Sequence, residues 1–83
     1  MKKVFVVIKN NLGTPQARTF SYKNDAIRFV KFWYEITLSE LEQFGHEIKG
    51  KELLRDIGQG VIKTEIGDIE FDLLDTIIDV DLR

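Results

Sequence analysis

The segment from Ser21 to Phe44 limits what this chain can fold into more than any other, because it reads as one uninterrupted helix with an unusually broad apolar surface. At 100° per residue, Ala26, Val30, Trp33, Tyr34, Thr37, Leu41 and Phe44 share one face, with Ile27 and Leu38 beside them. Phe29, Phe32 and Ile36 fall outside that stripe and widen the apolar arc to roughly 240°, more than twice the width of an ordinary surface helix. Such a helix is either covered on two sides by its own fold or shared with a partner. Ser21 is the expected N-cap, its hydroxyl accepting from the N–H of Asn24, and Asn24 itself is the alternative cap one turn later. Asp25 suits the positive end of the helix dipole, and Gly45 supplies the stop.

On either side of the helix the pattern changes to strand-like runs. Val4 to Ile8, rich in β-branched and aromatic residues, predicts a central strand covered on both faces. Asn10 to Pro15 predicts a long loop, and Gln16 to Phe20 a second strand returning on the first; its side chains do not say which face is buried. Lys51 to Ile57 presents Leu53, Leu54 and Ile57 and predicts a short second helix closed by Gly58. Val61–Ile66 and Ile69–Leu74 flank Gly67-Asp68, a pair suited to a two-residue hairpin turn. In the second of these strands Ile69, Phe71 and Leu73 point one way, and Asp68, Glu70 and Asp72 the other. Thr76 to Leu82 repeats the alternation as a further strand, unless Leu73 to Ile78 forms a helical turn. The expected architecture is a single α+β domain spanning 1–83. It consists of an antiparallel sheet of about four strands in two hairpins, with the long helix across one face.

A hydrophobic fraction of 43% and a charged fraction of 31% describe a globular chain rather than a disordered one. There is no cysteine, which excludes disulfides and thiolate metal sites. The apolar run behind Lys2-Lys3 is too short for a secretion signal, and no stretch approaches the ~20 residues that span a bilayer, so a cytoplasmic protein is expected. The formal charge of −2 conceals a strong polarity. Residues 1–64 carry eleven Lys/Arg against seven Asp/Glu, whereas residues 65–83 carry seven Asp/Glu against Arg83 alone. Charge of that kind bears on partners rather than on fold.

Groups that do chemistry are scarce. His46 is the one histidine and lies just past the helix, where the negative dipole end favours an imidazolium in a capping or solvent-facing role. Ser21 and Ser39 are the only serines, one an expected cap and the other on the polar side of the helix. Asp68, Glu70 and Asp72 lack the glycine and distal glutamate of a calcium loop, and Gly58-Gln59-Gly60 lacks the strand-to-helix setting of a phosphate cradle. No catalytic residue, cofactor or metal is expected.

What remains are surfaces. The expected role is that of a non-enzymatic protein-interaction module, self-associating or binding another protein. It would use Phe29, Phe32 and Ile36 on the helix and Asp68, Glu70 and Asp72 on the acidic strand. Carboxylates at alternate strand positions repeat every ~6.6–6.8 Å, close to the phosphate spacing of an extended nucleic-acid strand, which suits a basic groove. The alternative is a nucleic-acid-associated regulator using Lys2, Lys3, Lys9, Arg18 and Lys23 with Phe5, Phe20 and Tyr22, and a further alternative is a purely structural homodimer. In size, lack of cysteine and polarised charge the chain resembles the small proteins of bacteria and their phages, which implies binding and blocking another macromolecule.

Overall fold

Two long strands distant in sequence pair along the middle of the molecule. The computed structural model describes residues 2–78, which run β1 (Lys2–Asn11), β2 (Thr14–Phe20), α1 (Lys23–Gln43), β3 (Ile48–Leu54), β4 (Gln59–Thr64) and β5 (Gly67–Ile78). All pairings are antiparallel, and the strand order is β2-β1-β5-β4-β3. The sheet therefore has five strands, not four. The expected strand over Thr76–Leu82 is partly realised as the end of β5, which continues unbroken to Ile78; Val80 and Leu82 lie outside the described residues.

The helix covers the sheet face that carries Phe5, Val7, Ile62, Ile69, Phe71 and Leu73, and packs Ala26, Val30, Tyr34 and Leu41 against it. As read from the sequence, Asp68, Glu70 and Asp72 stand on the opposite side of β5. Gly60 admits the Tyr34 ring: a Cβ there would sit 3.2 Å from both Tyr34 Cδ2 and Leu53 Cδ1. The molecule is only 16 Å deep along its shortest principal axis, room for a sheet and one helix layer and nothing more. Val4 to Ile8 is accordingly covered by a helix on one face only. On the other face Val4 is buried but Val6 and Ile8 remain half-exposed.

Four local expectations are corrected. The first hairpin closes through a two-residue turn, not a long loop: Leu12 and Gly13 both take positive φ (55° and 93°), as a type I′ turn requires. Asn10 Oδ1 accepts from the Gly13 N–H at 3.1 Å, and Pro15 is tolerated because β2 is an edge strand. Residues 51–57 form no helix. Lys51 to Leu54 belong to β3, whose pairing with β4 outweighs a weak three-residue helical pattern. The turn between β4 and β5 is Glu65-Ile66 rather than Gly67-Asp68, since Thr64 pairs with Gly67. Thr64 secures it, its hydroxyl donating to the Gly67 carbonyl at 2.8 Å and accepting from the Ile66 N–H at 3.2 Å. Last, the helix N-cap is Tyr22, without a side-chain cap bond, so neither Ser21 nor Asn24 fills that role.

At the other end of the helix Gly45 stops it as expected, with φ of 79°. The His46 N–H bonds the Leu41 carbonyl at 2.9 Å and the Gly45 N–H bonds the Glu42 carbonyl at 3.1 Å, a Schellman closure. Phe44, read as part of the buried stripe, is instead the C-cap and 74% exposed.

Candidate protein-interaction surfaces

The helix patch proposed from sequence is divided by the fold. Phe29 turns toward the sheet edge and stacks at a tilt between Phe20 (5.1 Å between centroids) and Trp33 (5.0 Å). Phe32 and Ile36 stay outside, 58% and 37% exposed, and β3 does not cover them. Phe32 remains within 6.2 Å of Phe29, so an aromatic path runs from the β2 edge over the helix to solvent. The helix thus keeps an uncovered apolar ridge of one turn and a half.

The second surface is the helix-free face of the sheet. Asp68, Glu70 and Asp72 project from β5, the middle strand, where cross-strand pairing sets them beside β1 and β4. Leu74 and Leu54 are exposed on the same face, with Val6, Ile8 and Val61 half-buried between them. Glu52, Glu70 and Asp72 rim a shallow depression of about 380 Å³ floored by Ile8, Leu54 and Val61. Asp72 is held in place: its Oδ1 accepts from the Leu73 N–H at 2.8 Å and from Gln59 Nε2 at 3.2 Å. Glu52 and Leu54 entered this surface through β3, and sequence reasoning missed them because it assigned that segment to a helix.

The basic hairpin is largely engaged within the fold. Lys3 pairs with Asp75 at 3.4 Å. The Lys9 ammonium lies 5.5 Å from the Trp33 ring centre and 6.0 Å from that of Phe71, and the Arg18 guanidinium carbon lies 5.7 Å from Trp33. Two cations thus share one indole. Burial pushes the Lys9 amine below its ordinary value, and nearby Glu40 draws it part of the way back. Of the stacking candidates, Phe5 and Phe20 pack against the core, while Tyr22 is exposed.

Besides the backbone closure at the end of α1, the His46 side chain makes a contact of its own. Its Nδ1 donates to Glu65 Oε1 at 2.7 Å, and the Glu47 N–H donates to Glu65 Oε2 at the same distance. A carboxylate only accepts, so the ionised Glu65 fixes the proton on Nδ1. The His46 bond, aided by backbone N–H donors, holds the Glu65 carboxyl below the usual carboxylate range. The clasp ties the α1–β3 connection to the β4–β5 turn. A carboxyl lowered in the folded state stabilises above its unfolded pKa of ~4.3, and that stabilisation fades as pH falls through the folded value. Glu65→Gln is therefore expected to lower Tm at pH 6–7 and to converge with the parent toward pH 3. A constant difference in Tm across that range would refute the clasp.

Among the described residues no three His, Asp or Glu side chains are placed to hold a metal ion, and no helix is long and apolar enough to cross a membrane. Fold and surfaces together define a small α+β protein, whose described residues form one five-stranded antiparallel sheet and one helix and leave two faces of different chemistry uncovered. The chain matches no known family model, no curated protein and no solved structure.

Proposed function

We propose that the protein is a non-enzymatic interaction module, a small regulator or inhibitor of the bacterial or phage type, acting in the cytoplasm on a protein partner. The observation that carries this reading is the helix-free sheet face. There Asp68, Glu70 and Asp72 line the middle strand and exposed Leu54 and Leu74 flank them. Carboxylates surrounded by apolar area suit a partner segment of the opposite make-up, with lysine or arginine side chains alternating with apolar ones. Such a segment would pair its cations with the carboxylates, releasing the counterions of both to solvent, and would bury Leu54, Ile8 and Leu74. The spacing along β5 also fits the groove of a nucleic-acid-binding protein. The nucleic-acid alternative is weaker, because Lys3, Lys9 and Arg18 are committed to Asp75 and Trp33.

The test is titration with an arginine-rich amphipathic peptide at two salt concentrations. Asp68→Asn, Glu70→Gln and Asp72→Asn together are expected to weaken binding at least tenfold. A control of equal charge, Glu42→Gln, Glu47→Gln and Asp56→Asn, should leave it within about twofold. Equal losses from both sets would remove the sheet face from consideration. Tight, steeply salt-dependent binding of single-stranded DNA would favour the alternative.

A further inference from the structure

The ridge left uncovered on α1 is self-complementary. Phe32 marks its centre, and the residues on either side are arranged so that a two-fold axis through Phe32 matches unlike groups. An antiparallel copy of the helix brings residue i beside residue 64−i, give or take one. Phe29 then meets Ile36, and Phe32 meets its own equivalent. Arg28 and Glu35 are seven residues apart, two turns or about 10.5 Å, and share one flank of the ridge. A two-fold normal to both helices keeps each flank on its own side and reverses direction along the axis. Arg28 is thereby placed opposite the partner's Glu35, and Glu35 opposite the partner's Arg28. Asp25 comes beside the partner's Ser39, with Glu40 as the adjacent residue, so the favourable charge pairs of the ridge are the reciprocal Arg28–Glu35 contacts.

We infer that the Phe29/Phe32/Ile36 ridge pairs with the same ridge of a second copy of this chain, in an antiparallel two-fold helix pair closed by reciprocal Arg28–Glu35 contacts. The inference rests on the reading of that ridge as an interaction surface and names its occupant. The charged groups are free to make these contacts. Arg28 stands 3.7 Å from Asp25 and Glu35 stands 3.9 Å from Lys31, both loose pairs with side chains more than half exposed at Arg28, Asp25 and Glu35. Phe29, anchored between Phe20 and Trp33, gives the ridge a rigid shoulder for the incoming Ile36. The uncovered sheet face lies on the far side of each protomer, so the pair would present two acidic platforms pointing away from each other. One helix pair buries less than the ~1,600 Å² of a standard interface, so the association is weak and concentration-dependent.

The charge arrangement gives a test that mere stickiness does not pass. Arg28→Glu alone sets two pairs of like charges facing each other across the axis, and so does Glu35→Arg alone. Each variant, shown to be folded by circular dichroism, is expected to dimerise about tenfold more weakly than the parent in sedimentation equilibrium from 10 µM to 1 mM. Mixed in equal amounts, the two variants restore opposite charges at both positions, and the mixture is expected to recover the parent's association. Phe32→Glu should remain monomeric throughout. A parent that is monomeric at 1 mM overturns the inference. So does a mixture no tighter than its components, including the case where a dimer persists through some other surface. Either failure, alongside intact peptide binding at the sheet face, would leave the interaction module standing and remove only the second copy from it.

Discussion

Phe71→Ala is expected to destabilise the fold by about 3–5 kcal/mol, the range for truncating a large buried aromatic side chain. Phe71 is 3% exposed and sits on the middle strand, paired with Lys9 of β1 and Gly60 of β4. Trp33 meets its ring edge-on at 6.2 Å and Tyr34 at 5.7 Å, and the Lys9 ammonium stands 6.0 Å from its centre. Because Gly60, directly opposite it on β4, has no side chain, nothing at the paired position can fill the space opened by truncation. Domains of this length are stable by about 4–12 kcal/mol, so the loss amounts to a large share of the total. Urea denaturation followed by Trp33 fluorescence would show a sharply reduced midpoint. A shift equivalent to less than 1 kcal/mol would mean that the aromatic cluster does not hold helix and sheet together.

Gly58→Ala is expected to cost about 2–5 kcal/mol, more than its small size suggests. Gly58 closes the turn between β3 and β4 with φ of 68°, which is unfavourable for any residue with a Cβ. It is also crowded: an added Cβ would lie 2.7 Å from Leu73 Cβ and 2.9 Å from Leu73 Cδ2. The Cβ–Cβ contact is not relieved by turning the leucine side chain, so the β3–β4 hairpin must move away from β5. Gly45→Ala separates the two effects, since Gly45 has φ of 79° and nothing within 4 Å of an added Cβ. It should cost only the backbone penalty of about 1–2 kcal/mol. Equal losses in thermal denaturation at the two positions would show that the Leu73 contact carries no weight.

The site was legible wherever a side chain's direction follows from local period. The alternation in β5 placed Asp68, Glu70 and Asp72 away from Ile69, Phe71 and Leu73, and the structure keeps that division. The helical stripe correctly put Ala26, Val30, Tyr34, Thr37 and Leu41 inside. Helical geometry alone locates Phe29 on the rim of the buried arc. Only the position of Phe20, delivered by the β2 edge, decides that its half-buried ring stacks between Phe20 and Trp33. Lys9 and Arg18, read from the sequence as members of a basic hairpin, flank Trp33, a contact among three separate elements. His46 and Glu65 are nineteen residues apart, and no local signal joins them.

By itself the sequence determined the long helix and its Gly45 stop, two of the three hairpins, the α+β class and the sidedness of the acidic strand. Each of these rests on interactions within about ten residues, where backbone geometry and side-chain period suffice. Tertiary structure alone decided that β1 and β5 pair along the centre, that residues 48–54 form an edge strand rather than a helix, and that one sheet face and the Phe32 ridge stay uncovered. Those outcomes depend on which distant segments meet, since strand pairing and coverage draw on partners that local pattern does not specify.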